Sequence, residues 1–360
     1  MPRITRVIKT AQVAGLAIAM FGMGLSPAQA QRRRSSAEKA APKLSAAELS
    51  AAQKGSEPIN VLTRDGVYLT GRFWKPDESN KETPVVMLLH MRGRDQNDWA
   101  PYARYLCDKG FAVATFDFRG HGDSKQVNPD QYVSPRDALR GMRRPSSDNR
   151  VERIDEETEF RNGRELAMLV NDIDAIKEFL IEQNNAGRIN VQRLGVVAGG
   201  PMASALATHF AAREYASERG WVKTGGDLAT LILISPTLNY SGLTAVSDFD
   251  KSKRDEERLP VFIVSNDDRS EKKSADQLRR KLWVPFLGKG GKASGRDRPE
   301  SGMMLVKSKK SGSDLFRPPV ENVDELIHGY LHNRLVDKRS FQWRQRTKEE
   351  DAGGGFGSQR

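Results

Sequence analysis

The feature that most constrains the fold is the alternation of short apolar runs with amphipathic helical patterns between residues 85 and 335. Such alternation predicts a mostly parallel sheet covered by helices on both faces, because parallel neighbours need a crossover connection. Buried strands are expected at 85–89, 111–118, 193–197, 231–234, 261–265 and 303–307. Helices are expected at 99–109, 167–181, 202–214, 275–282 and 320–335. The fold class is therefore α/β.

A hairpin precedes this alternation. Residues 59–63 and 67–74 alternate apolar and polar side chains around Arg64-Asp65-Gly66, a turn signal, which predicts an antiparallel pair. Residues 126–164 are long and charged, and they lie where α/β folds carry insertions over the active-site end. The domain is expected to span 58–338, with a disordered tail at 339–360.

The first thirty residues have the pattern of a secretory signal peptide. Arg3, Arg6 and Lys9 precede an apolar core at 11–25, and Ala28-Gln29-Ala30 provides a cleavage site. The apolar core is shorter than the roughly 20 residues that a membrane span needs. We therefore expect Sec-type export to the periplasm or the exterior, and no membrane span in the mature chain. Residues 31–57 resemble a disordered linker, with a short helix at 46–54.

The amino-acid composition limits the classes of partner that this chain is expected to bind. The thirty-residue segment carries three basic and no acidic residues, so its removal lowers the net charge from +11 to +8. Ten of the basic residues lie in 279–310 against two acidic ones, which favours an anionic envelope polymer or a small molecule as partner. Aromatic residues are not interleaved with them, which argues against nucleic acid. The single cysteine, Cys107, cannot form an internal disulfide and is expected to be a structural thiol.

Two motifs and one junction carry a family resemblance. The segment 88–94, followed by Trp99, comes after one expected strand, and Asp117-Phe118-Arg119-Gly120-His121-Gly122-Asp123-Ser124 comes after the next. A strand-to-helix junction follows at 194–203. In this order they resemble the α/β-hydrolase superfamily, especially its secreted bacterial lipase, esterase and serine-aminopeptidase-like branches. The resemblance covers about 59–336. It implies a three-layer fold whose central sheet is mostly parallel, with an N-terminal antiparallel hairpin and an insertion after the fourth strand.

The resemblance also implies a Ser–Asp–His triad, whose serine lies on a G-x-S-x-G turn between strand and helix. This chain departs from that pattern at two positions. Gly200 stands where the serine belongs, and Ser311 stands where the histidine belongs. The acid position falls on Asp267 or, with a better fit, Asp268. The alternative role for Asp268 is to cap the next helix or to pair with Arg269.

The remaining site residues follow from the same resemblance. His90, Met91 and Pro201 are assigned to the oxyanion-side turn, and the role expected of His90 is structural rather than catalytic. His328 and His332 lie four residues apart on a predicted helix, a spacing that can hold a metal. No third ligand is evident, so we expect no metal and no cofactor.

Three functions are compatible with these residues. The first is an exported pseudo-hydrolase that binds or scaffolds without catalysis. The second is an active hydrolase of ester or peptide bonds with a non-standard nucleophile, such as Ser204, Ser235 or Ser311, or with a directly activated water. The third is a basic module that binds envelope polymers through the 279–310 loop. Whether any catalysis is retained stays open at this point, as do the ligand, the oligomeric state and the role of the insertion.

Overall fold

A computed structural model describes residues 44–142, 151–217, 226–245, 259–282, 284, 286–289, 301–317, 322–337 and 341–346. The expected signal peptide lies outside these residues, as do residues 283, 285 and 290–300 of the basic loop. All described residues belong to one compact unit, Ala41–Arg360. None of the helices within the described ranges is long and apolar enough to cross a membrane.

Eleven strands occur in the described residues, and nine of them form one sheet. The strands are β1 (Glu57–Leu62), β2 (Tyr68–Trp74), β3 (Val85–Leu89), β4 (Ala112–Phe116), β5 (Leu194–Gly199), β6 (Leu228–Ile234), β7 (Asn239–Tyr240), β8 (Leu243–Thr244), β9 (Val261–Asn266), β10 (Phe286–Lys289) and β11 (Gly302–Val306). The main sheet has the order β1-β2-β4-β3-β5-β6-β9-β11-β10, while β7 and β8 pair separately. Its pairs β1–β2 and β2–β4 are antiparallel, and the other neighbours are parallel.

Helices cover both faces of this sheet. They are α1 (Ala46–Gln53), α2 (Ala100–Asp108), α3 (Pro135–Leu139), α4 (Glu156–Glu159), α5 (Gly163–Leu166), α6 (Val170–Asn185), α7 (Gly200–Ser217), α8 (Arg269–Lys281) and α9 (Val323–Leu335). Alternate residues of β3 enter two different cores. Met87 packs with α6 and α7, whereas Leu88 packs with α2 and α9. A buried parallel strand has this arrangement because its side chains alternate between the two faces.

The predicted fold class is confirmed. Each expected strand is present within a few residues, and the 64–66 turn joins β1 to β2. Three helices begin three or more residues from the expected position: α6, which begins at Val170 rather than 167, α8 and α9. Helix α8 begins at Arg269, six residues early, because Asp268 caps it. Helix α9 begins at Val323, after the left-handed residue Asn322.

Both segments expected to be disordered contain ordered parts. Within 31–57, helix α1 starts with a capping box between Ser45 and Glu48, and the buried Trp74 indole donates to the Ala52 carbonyl. Within 339–360, residues 341–346 pack on the domain. The Arg346 side chain is buried and pairs with Asp227 at 2.6 Å. The polar composition of these two segments does not indicate such contacts, because the partners lie far away in the chain.

The insertion at 126–164 is anchored to the hairpin and to the turn after β4. Val127 forms a bridge with Val67, and Gln126 forms one with Arg153. The backbone N–H of Glu156 donates to the Gly120 carbonyl at 3.2 Å. The described parts of the insertion therefore pack beside the motif turns.

Candidate functional site: a filled elbow

The turn after β4 is built around buried charge. The Asp117 carboxylate accepts hydrogen bonds from the backbone N–H groups of Gln96 at 2.7 Å and Asp123 at 2.9 Å. Burial raises the pKa of Asp117 to about 6 despite these bonds. Asp117 thus joins the loop after β3 to the turn after β4, which places both motifs at the same edge of the sheet.

Arg119, in the same turn, is completely buried between two carboxylates. Its Nε donates to Asp172 Oδ1 of helix α6 at 2.6 Å, and its Nη2 donates to Asp65 Oδ1 of the hairpin turn at 2.9 Å. Burial disfavours the guanidinium charge, but Asp172 and Asp65 outweigh it and raise the pKa of Arg119 further. The Arg119 side chain therefore links three segments that are distant in the chain: the turn after β4, helix α6 and the hairpin turn.

Both ring nitrogens of His90 are engaged by backbone groups. Its Nδ1 lies 2.7 Å from the Met91 carbonyl, which can only accept, and its Nε2 lies 2.9 Å from the N–H of Phe118, which can only donate. These bonds assign the proton to Nδ1 and leave no free nitrogen for catalysis. Burial lowers the pKa of His90 to about 3, so the ring is neutral at physiological pH.

The junction of β5 and α7 has the geometry of a nucleophile elbow. Gly200 has φ +80°, a left-handed conformation that side chains rarely adopt, between a buried strand and a helix. A Cβ at Gly200 would lie 2.8 Å from Cγ of Met91 and 3.0 Å from its Sδ. The Met91 side chain, which is 2% exposed, therefore fills the space that a side chain at position 200 would enter.

The base position lies against the same methionine. Gly312, next to Ser311, has φ +56°, and a Cβ there would come within 3.1 Å of Met91 Cγ. Its backbone N–H donates to Ser235 Oγ at 2.8 Å. The predicted elbow and the predicted base loop are therefore brought together by the fold. Met91 occupies the gap between Gly200 and Gly312.

Pro201 adds a third chemical departure, which the sequence already contained. In this fold the residue after the nucleophile supplies a backbone N–H to the oxyanion. Proline has no backbone N–H. Pro201 therefore cannot donate to an oxyanion from that position, although its restricted φ suits the first turn of a helix.

An ionic cluster joins the loop after β3 to the loop after β11. Arg94 Nη2 lies 3.0 Å from Asp314 Oδ2, and Arg317 Nη2 lies 3.0 Å from Asp98 Oδ1. The side chains of Arg94 and Asp98 are 4% and 7% exposed. Since the pairs join residues more than 200 positions apart in the chain, they hold the base loop against the oxyanion-side loop.

The two residues predicted for the acid position, Asp267 and Asp268, follow directly after β9. Asp268 is exposed and caps α8, accepting from the N–H and the hydroxyl of Ser270, and these bonds lower its pKa. Asn266, which is buried, donates from Nδ2 to the Lys310 carbonyl at 2.8 Å. The described contacts thus connect the base loop to Asn266 rather than to Asp268.

The capping of α8 by Asp268 can be tested by substitution. Asp268→Ala should lower the melting temperature by about 2–4 °C, because it leaves N–H groups in the first turn of α8 unsatisfied. Asp268→Asn should lower it less, since asparagine is also a good N-cap. Thermal unfolding followed by circular dichroism measures both. Equal losses in the two variants would contradict the capping role.

The other four histidines lie away from any serine hydroxyl in the described contacts. His121 lies 3.2 Å from Glu156, and His209 contacts the Thr244 carbonyl at 3.0 Å. Burial would raise the pKa of Glu156, but His121 and Arg92 outweigh it and hold it at about 2.

His328 and His332, the predicted helical pair, face each other with ring centres 6.0 Å apart. No group of three His, Cys, Asp or Glu side chains able to hold a metal occurs within the described ranges.

Comparisons with known proteins give remote likenesses. No family model matches the chain. A bifunctional esterase/perhydrolase from Acinetobacter calcoaceticus is 34% identical over 67 residues, which is 19% of this chain and 23% of that relative. The match thus spans about a quarter of the relative's length.

Solved structures with similar topology include a bacterial heroin esterase, with a TM-score of 0.49, 15% identity, and coverage of 84% of this chain and 96% of that one. Another is the dienelactone hydrolase of Anabaena variabilis, with a TM-score of 0.46, 12% identity, and coverage of 78% and 99%.

The fold assignment rests on this chain's own strands and turns. The N-terminal antiparallel hairpin, the parallel strands from β3 onward and the left-handed junction at Gly200 are the features that the motifs implied. The chain has the α/β-hydrolase fold.

Proposed function

We propose that this protein is an exported pseudo-hydrolase: a non-catalytic binding or scaffolding protein built on a hydrolase-like fold. The observation that carries the proposal is the position of Met91. Its side chain occupies the space between Gly200 and Gly312, where a nucleophile and a base would have to meet.

The chemistry of acyl transfer explains why this arrangement matters. The reaction needs a nucleophile, a base that takes its proton, and donors aimed at the developing oxyanion. Gly200 has no side chain, the base loop has no histidine, and Pro201 has no N–H. Because triad members act as a unit, restoring one of these groups alone should not restore catalysis.

Two of the alternative nucleophiles, Ser204 and Ser235, have no base beside them in the described contacts. Ser204 is buried in α7, where its hydroxyl lies 3.5 Å from the Ala198 carbonyl. Ser235, with φ +51°, accepts the Gly312 N–H. Neither hydroxyl contacts a histidine, and a serine is weakly nucleophilic without an adjacent base.

Reaction with a fluorophosphonate probe tests the absence of catalysis. We expect the folded protein to show no stoichiometric labelling, and turnover of p-nitrophenyl acetate no faster than that of the heat-unfolded protein. Ser204→Ala, Ser235→Ala and Ser311→Ala serve as matched variants. Stoichiometric labelling that disappears on unfolding and in one of these variants would identify an active nucleophile and refute the proposal.

Export is part of the proposal and is supported by the basic, apolar and A-x-A segments of residues 1–30. Fusing residues 1–57 to a reporter that is active only outside the cytoplasm tests it. We expect reporter activity and processing after Ala30. A reporter that stays inactive and unprocessed would refute export without affecting the proposal about catalysis.

A further inference from the structure

An exposed basic patch lies at the carboxyl ends of β9 and β11. We define it by Arg269, Lys272, Lys273, Lys307 and Lys309, all of which are exposed. The first three lie on α8, which begins just after β9. The two strands pair in parallel, and the Asp267 N–H donates to the Val306 carbonyl. The backbone therefore brings the start of α8 beside the start of the lysine-rich loop. This edge is the one at which open α/β sheets bind ligands.

The cations on α8 share one face of the helix. Residues three and four positions apart are neighbours on a helix surface, with Cβ atoms about 5–6 Å apart, so Arg269 lies beside Lys272 and Lys273. These three side chains line a cavity of about 510 Å³ together with Asp267, Asp276 and Arg279. That volume is within the range of small-molecule sites, about 300–1,000 Å³.

Two of the local carboxylates, Asp276 and Asp268, are engaged by other groups. Asp276 pairs with Arg279 at 2.8 Å and with Arg280 at 2.9 Å. Asp268 is engaged by the Ser270 N–H and hydroxyl at the helix cap.

By contrast, none of the five cations of the basic patch has an acidic partner within 4.0 Å in the part of the chain that the structure describes. Five neighbouring cations that are not paired with a carboxylate repel one another, and a bound anion would relieve that repulsion.

We propose that the basic patch binds a small multivalent anion that carries at least two phosphate or carboxylate groups. The Arg269 guanidinium can bind one anionic group with two parallel N–H donors, and Lys272 and Lys273 supply point charges to the next. The inference names a ligand class for the binding role proposed above and rests on that role. It does not depend on how Met91 packs at the Gly200 junction.

Isothermal titration calorimetry of the full mature chain tests this inference. Tripolyphosphate and citrate serve as separate probes for phosphate and carboxylate chemistry. The test variant is Lys272→Gln/Lys273→Gln. The control, Lys54→Gln/Lys109→Gln, removes the same charge at exposed positions outside the patch. We expect the test variant to raise the Kd about tenfold or more, and the control to raise it less than about twofold.

Each outcome is decisive. Binding of one probe assigns the site to that chemistry, and binding of both assigns it to multivalent anions in general. A Kd that rises equally in the test and control variants would show a non-specific effect of net charge and overturn the site. Absence of heat with both probes would also overturn it. Fluorophosphonate labelling of the same sample reports separately on catalysis, so failure of one proposal is distinguishable from failure of the other.

Discussion

Arg119→Met is expected to lower the free energy of unfolding by about 3–5 kcal/mol at pH 7. The substitution removes the cation that pairs with Asp172 and Asp65, and the Asp172 side chain is completely buried. A buried carboxylate without its partner is strongly destabilising, because its charge has left water without compensation. Urea unfolding followed by tryptophan fluorescence measures the loss.

The loss at Arg119 should depend on pH. Burial raises the pKa of Asp172 to about 6, above its ordinary value, even with Arg119 in place. A carboxyl whose pKa is raised by folding contributes less stability as the pH rises from about 4 through 6. Without Arg119 the folded-state pKa should rise further, so the difference between the variant and the wild type should be smaller at pH 5 than at pH 7.

Two variants control the interpretation of Arg119. Arg119→Lys keeps the charge but loses the planar fork that reaches both carboxylates, so an intermediate loss is expected. Arg64→Met removes an exposed arginine that pairs with Glu178 and should change stability by less than about 1 kcal/mol. If Arg119→Met lowers the free energy of unfolding by less than about 1 kcal/mol, Arg119 does not stabilise the fold by pairing with Asp172 and Asp65.

Met91→Ala is expected to lower the free energy of unfolding by about 2–5 kcal/mol, because it leaves a cavity in a buried site. Gly200→Ser should cost about 1–3 kcal/mol, since it forces a side chain into a left-handed conformation. Its Cβ also meets Met91 in the wild type. In the Met91→Ala background the clash is gone, so the cost of Gly200→Ser should fall.

A double-mutant cycle measured by urea unfolding tests the contact between Met91 and Gly200. We expect a coupling of about 0.5–3 kcal/mol that favours the double variant. Met87→Ala is the matched control, because Met87 is a buried methionine of β3 and does not approach Gly200 in the described contacts. Additive losses with Met91→Ala would contradict the filled elbow. No variant of the cycle should gain esterase activity under the proposed function, since the loop at 303–317 contains no histidine.

Much of the architecture could be predicted before the structure. The apolar runs at 85–89 and 261–265 became strands β3 and β9 with nearly unchanged bounds, because burial on both faces requires continuous apolar sequence. The start of α8 was missed. Its first turn is polar and exposed, so periodicity begins only at Ala275, while the Asp268 cap sets the true boundary.

The candidate site, like the fold, was predictable from the sequence only in part. The absence of a serine at Gly200, of a histidine near Ser311 and of an N–H at Pro201 are facts of covalent chemistry, which the amino-acid sequence determined by itself. The exposed, helix-capping position of Asp268 was one of two open alternatives, and local hydrogen bonds decided it. The sequence also determined the layered fold, through the periodicity of buried residues.

Only the tertiary structure decided what stands in place of the missing groups. Met91 lies against both Gly200 and Gly312, and Arg94 reaches Asp314 across 220 positions of the chain. Such neighbours depend on how distant loops cross at the edge of the sheet, and periodicity within one segment carries no information about them. The physical reason is that burial of a segment depends on its own pattern, whereas the side chain that fills a gap depends on every segment around it.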